Sequence, residues 1–166
     1  MTIRIILDTS IYGKIIDDRL EDEIIEKADI HKHDLTIYGI KIIRAEIKAA
    51  PKHSKDRYSL RQTLLNLYDS LVKNHELEIN PLAHTLASLY YKSYRQNGGS
   101  VSWKQMMNDM LIVAEASISK MDIVVSSDNR TMLSEPAKEA YYSVNKKHSI
   151  ITPNFIGYEE FKKKLF

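Results

Sequence analysis

The stretch Ile3–Ser10, reading IRIILDTS, decides the fold. Ile3 to Leu7 are apolar apart from Arg4, and the run ends at Asp8, Thr9 and Ser10. A short isoleucine-rich run bounded by polar residues reads as a strand buried on both faces, as in a parallel sheet covered by helices. In open parallel sheets, ligands bind beyond the carboxyl ends of the strands, where strand order reverses. Asp8 stands at such an end. Asp, Ser and Thr are also common helix N-caps, so Asp8 taken alone reads more readily as the cap of the next helix.

Outward from that strand the pattern alternates. Residues 10–33 read as helix, in one or two pieces, with Leu20, Ile24, Ile25 and Ala28 on one face. Leu35–Tyr38 reads as a second strand broken at Gly39, and residues 40–50 as a helix stopped before Pro51. A basic loop (51–57), a helix (58–77) and a short extended piece at 77–79 follow. A helix over 82–97 is closed by Asn97-Gly98-Gly99. The next, 102–120, opens on a capping-box pattern, Ser102 to Gln105. Ile123–Ser126 is a strand, 130–143 a helix with a break near Pro136, and Ser149–Thr152 a last strand before Pro153. A closing helix starts at Tyr158 and carries Lys162, Lys163 and Lys164 near its end, where cations suit the helix dipole. Strands alternating with helices imply an α/β three-layer sandwich, a central parallel sheet of four to five strands flanked by helices. The expectation is a single domain over 1–166, with the helical segment at about 58–99 lying on one side of the sheet.

The composition suits that reading. The chain has 166 residues, of which 43% are hydrophobic and 28% charged, which is enough for one domain with a real core. The net charge of +2 neither requires nor excludes a nucleic-acid partner. Acids crowd residues 17–29 and bases crowd residues 41–61, and the basic block can meet phosphates or be a solvated helix face. There is no cysteine, which excludes disulfides and thiolate metal sites. No run approaches the roughly 20 apolar residues of a membrane span, and the N-terminus lacks a signal-peptide pattern. A cytoplasmic protein with no membrane partner is expected.

Four carboxylates do not fit their surroundings. Glu46 lies four residues after Ile42, three after Ile43 and four before Ala50, so it shares their inward helix face. Asp109 shares a face with Ile112, Val113 and Ala116. Asp128 follows the strand at 123–126 as Asp8 follows the first. A buried carboxylate must be paired, protonated or bound to a metal. Convergent acids repel one another and raise one another's pKa unless a hard divalent cation, Mg²⁺ or Mn²⁺, lies among them. Each acid also has a plain structural alternative: Glu46 paired with Arg44, Lys41 or Lys48, Asp109 with Lys104 or Arg130, and Asp128 starting a turn with Asn129. Tyr90, Tyr91 and Tyr94 serve equally as base-stacking or helix-packing residues. His31 and His33 form an H-x-H pair that could bind a metal only if extended and reads better as surface histidines. The other four histidines show no ligand spacing, and no phosphate loop or dinucleotide fingerprint is present.

Taken together, IILDTSIY with Asp8 and Ser10, IIRAEIKAA with Glu46, NDMLIVAEA with Asp109, VVSSDNRTM with Asp128, and the closing ITPNF resemble the PIN-domain family of metal-dependent nucleases. The resemblance spans almost the whole chain. Ser126 stands where the family often has Thr, Thr131 and Met132 where it often has Phe, and the segment 58–99 is long for its small toxin-like members. The resemblance implies an endoribonuclease that hydrolyses phosphodiester bonds by a two-metal mechanism. It implies Asp8, Glu46, Asp109 and Asp128 as catalytic metal ligands for Mg²⁺ or Mn²⁺. Ser10 and Ser126 would orient a carboxylate or touch phosphate, and Lys41, Arg44, Lys104 and Arg130 would contact the RNA backbone. It further implies an antitoxin or other protein partner and a homodimer. The rival readings are a PIN-like module that binds RNA or protein without catalysis, and a phosphotransfer domain. The latter wants a second acid beside Asp8 and a strand-end lysine, which the sequence does not supply.

Overall fold

A computed structural model describes residues 1–55 and 59–166. Arg57 of the expected basic loop, and the start of the helix expected from 58, lie outside the described residues.

Among the described residues the chain runs β1 (Ile3–Leu7), α1 (Thr9–Asp17), α2 (Glu21–Ile30), β2 (Leu35–Ile40), α3 (Lys41–Lys48), α4 (Leu60–Val72), β3 (Glu76–Leu77), α5 (Pro81–Gln96), α6 (Trp103–Ile118), β4 (Ile123–Val125), α7 (Glu135–Lys147), β5 (Asn154–Ile156) and α8 (Tyr158–Leu165). The strands form one sheet in the order β3-β2-β1-β4-β5, with every pair parallel. This is the expected three-layer α/β architecture, with five strands.

β1 is the central strand. Ile5, Ile6 and Leu7 have no exposed surface, as a strand covered on both faces requires. The chain adds β2 and β3 on one side of β1, then returns to add β4 and β5 on the other. Strand order therefore reverses between β1 and β4. Right-handed crossovers send helices before and after this reversal to opposite faces of the sheet. The packing agrees: α4 lies against α1, α2 and α3, and α5 lies against α6 and α7. The helical stretch expected on one side of the sheet is thus divided between the two layers.

Three local expectations shift. The first helical stretch is two helices, broken where Arg19 adopts φ 56°. Gly39 is no break: β2 runs through it to Ile40. A Cβ there would sit 2.1 Å from the Tyr68 hydroxyl oxygen, so glycine lets α4 approach the strand. The last strand is Asn154–Ile156, not Ser149–Thr152. Ser149 adopts φ 57° and the Ile150 amide bonds back to Asn145 O, closing the end of α7. Pro153 has no N–H to give a ladder, so pairing begins at Asn154, whose amide reaches Asp122 O at 2.9 Å. Ile151, apolar in sequence, is left exposed.

Three bases of the block at 41–61 are engaged internally. Lys41 bonds Glu78, Arg44 makes two 3.1 Å bonds to Asp69, and Arg61 donates to Ala50 O at 2.7 Å. Among the described residues no helix is long and apolar enough to cross a membrane.

Candidate active site

The reversal between β1 and β4 positions the first acid. Asp8 directly follows β1 and is 5% exposed. It occupies the N-cap position of α1, but its side chain makes no capping bond. Its Oδ2 instead accepts from the Ser10 and Ser126 hydroxyls, each at 2.9 Å. Ser126 directly follows β4, so this bond spans the reversal point. The Ser10 Oγ in turn accepts from the Ser127 amide at 3.2 Å, tying α1 to the loop after β4. Burial pushes the Asp8 carboxyl above its ordinary pKa; the two serine bonds oppose that, and the charge of Asp128 adds to it.

Glu46 projects from α3, which follows β2 directly. It is half-buried, as its helix face predicts. One oxygen accepts from Thr9, and Oε1 accepts from Asn108 Nδ2 at 2.7 Å. Glu46 therefore links α1, α3 and α6. Its pKa is raised by burial first, with Thr9 and Asn108 opposing and the Asp8 charge reinforcing.

Asp109, the next residue on α6, is also half-buried. Burial lifts its carboxyl from 3.8 to about 7; the Thr131 hydroxyl works against this, and Asp8, Asp128 and Glu46 add to it in that order. Asp128 lies two residues past Ser126. Its Oδ1 accepts from the Arg130 and Thr131 amides at 3.1 and 3.0 Å, and its Oδ2 accepts from the Thr131 hydroxyl at 2.5 Å. The turn-forming alternative for Asp128 is thus real, and it coexists with proximity to the other acids. The floor is aromatic: Tyr12 and Tyr141 are fully buried and feel these charges, which helps explain the strong desolvation.

The four sequence-predicted acids therefore share one electrostatic field. What acts on Asp8, Glu46 and Asp109 is burial, neutral hydrogen bonds and one another, not a lysine or arginine. Of the expected alternative partners of Glu46, Lys41 is engaged with Glu78 and Arg44 with Asp69, while Lys48 is exposed. Lys104 and Arg130 are exposed, on the first turn of α6 and beside Asp128. Among the described residues no group of three or more acidic or histidine side chains is placed to hold a metal ion. Asp8, Glu46 and Asp128 are held by neutral donors instead. Three of those donors, Thr9, Asn108 and Thr131, were not singled out from the sequence. The signal available was only adjacency: Thr9 follows Asp8, Asn108 precedes Asp109, and Thr131 stands three after Asp128. Of the tyrosines, Tyr90 and Tyr94 are buried packing residues.

This architecture is similar to that of solved structures. A chain of VapBC2 from Rickettsia felis, bound to a promoter DNA fragment, matches with a TM-score of 0.61 at 15% identity, covering 93% of this chain and 98% of that one. A chain of DNA-bound VapBC from Salmonella typhimurium matches at 0.59 and 13% identity, over 95% and 99%. A chain of FitAB bound to IR36 DNA matches at 0.52 and 15% identity, over 92% and 94%. The likeness shows the fold. No family profile and no curated protein sequence matches the chain.

Proposed function

We propose that this chain is a metal-dependent endoribonuclease of PIN type, the toxin of a toxin–antitoxin pair. One observation carries the reading. Asp8 and Asp128 follow β1 and β4 at the carboxyl edge of the sheet, where strand order reverses, and Glu46 and Asp109 project half-buried from α3 and α6. Burial together with the neighbouring acid charges raises the pKa of Asp8, Glu46 and Asp109 with no cation among the influences upon them. A structural network would pair such acids with basic side chains, and Lys41 and Arg44 go elsewhere.

The donor chemistry fits Mg²⁺ or Mn²⁺, because the set is all oxygen and its repulsion is what a divalent cation relieves. Asp8, Glu46, Asp109 and Asp128 would hold it, Glu46 and Asp128 turning from the neutral donors that now satisfy them. When bound, such ions activate water and stabilise the leaving oxygen of a phosphodiester displacement. Ser10 and Ser126 fix Asp8 from opposite sides of the reversal point, so its free oxygen keeps one direction. Lys104 and Arg130 position the strand through its phosphates; Lys41 and Arg44 do so only by leaving their ion pairs. The likeness to chains of VapBC and FitAB supports assembly with an antitoxin and with a second copy of this chain.

The separate satisfaction of Asp8, Glu46 and Asp128 by neutral donors favours a second reading, a PIN-like module that binds RNA or protein without cleaving. One experiment separates the two: incubation of purified protein with mixed-sequence single-stranded RNA in Mn²⁺, Mg²⁺ or EDTA, beside Asp8→Asn. Cleavage that needs metal and is lost in the variant supports the nuclease. RNA binding without cleavage in any metal leaves the binding module.

A further inference from the structure

We propose that the cavity beside the acids is a nucleotide subsite that stacks one base of single-stranded RNA on Tyr142, with Phe155 against the edge of the stack, and takes its phosphate on Lys14. The inference rests on the nuclease reading for its substrate class, but the cavity is defined without reference to the acids.

The cavity opens at the carboxyl ends of β4 and β5 and has a volume of about 620 Å³. That lies within the roughly 300–1,000 Å³ of small-molecule sites. Ser126 and Ser127 form its inner wall. They are the residues that bond Asp8 and Ser10, so the cavity and the acid site share the loop after β4. Its opposite wall is aromatic. Tyr142 and Phe155 meet edge to face, centroids 6.3 Å apart at 83°. Phe155 is backed by buried Tyr141 at 5.5 Å, which fixes the ring. Tyr142 remains 50% exposed, so part of its ring is open to a ligand. Such platforms stack any base, since every base has a π face.

The charges are ordered to match. Lys14 lies one helical turn after Ser10 on α1, so both face the loop after β4. It is exposed and forms no ion pair among the described residues. Lys138 also lines the cavity but is 3.0 Å from Glu135, so it is partly neutralised. Glu159 and Glu160 also line the cavity, on the first turn of α8, and Glu159 is held by Lys162 at 3.0 Å, which offsets part of its charge. Lys14 is the cation left to meet a phosphate. The strand thus runs from the acids, past Lys14, with its next base turned onto Tyr142.

The test is anisotropy of a labelled single-stranded RNA about eight nucleotides long. It is titrated with metal-free protein in EDTA, beside an abasic ribose-phosphate strand of the same length. Tyr142→Ala should weaken RNA binding at least about fivefold and leave the abasic strand unaffected, while Tyr142→Phe binds like the wild type. Lys14→Ala should weaken both strands and lower the slope of log affinity against log salt by about 0.7. Lys92→Ala, on a remote helix, should change neither. RNA affinity unchanged in Tyr142→Ala, or lost equally for the abasic strand, overturns the proposal, as does a wild type that binds no RNA. Because no cleavage occurs in EDTA, the two readings fail separately. Metal-dependent cleavage with no effect of Tyr142→Ala on binding refutes the subsite alone. Subsite-dependent binding without cleavage in any metal refutes the nuclease alone.

Discussion

Replacing Asp109 by Asn should stabilise the metal-free protein at alkaline pH and not at acid pH. In the fold the Asp109 carboxyl titrates near 7 rather than at its ordinary 3.8. Between those values the folded chain holds a proton that the unfolded chain has released. Stability from this group is therefore complete below about 3.8 and is lost as pH rises through about 7. Each tenfold change in proton affinity is worth about 1.4 kcal/mol, so at pH 8 the charged Asp109 costs the fold at most about 4 kcal/mol. The amide of the Asp109→Asn variant has no charge to desolvate. Local relaxation takes up part of the cost in the wild type, and we expect a gain of about 2 kcal/mol at pH 8 and about zero at pH 4. Urea unfolding in EDTA at the two pH values measures the difference, provided the slope with urea is the same for both proteins. Mn²⁺ should then raise the stability of the wild type at pH 8 and leave the variant nearly unmoved. An Asp109→Asn protein whose advantage is the same at both pH values, or absent at pH 8, would refute a buried, mutually repelled carboxylate.

Further outcomes follow from other bonds. Ser126→Ala removes one of two donors to Asp8 Oδ2 and frees its orientation; metal affinity, read by calorimetry, should fall roughly 10–100-fold with the fold intact. Glu115 is a buried acid outside the site, accepting from the Asn80 amide and the Ser119 hydroxyl at 2.7 Å each. Glu115→Ala orphans that amide at the start of α5 and should cost about 1–3 kcal/mol in urea unfolding, while Glu115→Gln recovers most of it. Gly39→Ala forces Cβ into Tyr68 and Val72, so thermal unfolding should fall by several degrees, and Tyr68→Phe should partly restore it by removing the nearest atom.

The sequence by itself determined the type and order of nearly every element, and so the parallel α/β sheet. It also determined that Glu46 and Asp109 sit on inward helix faces. These properties follow from spacing along one segment, which the periods of helix and strand translate directly into burial. The sequence misplaced the last strand because Ser149–Thr152 has strand composition, while Pro153 and the left-handed Ser149 decide where a ladder can start. Only the tertiary structure decided the strand order, the division of α4 and α5 between two layers, and the partners of the acids. Ser126 reaches Asp8 across 118 positions and Asn108 reaches Glu46 across 62. The same holds for Lys41 and Arg44, whose charges local spacing offers to Glu46 but which bind Glu78 and Asp69 on the side of α3 facing α4 and β3. Local periodicity states which way a side chain points; which distant loop meets it there is set by sheet order and crossover, and no spacing along the chain carries that information.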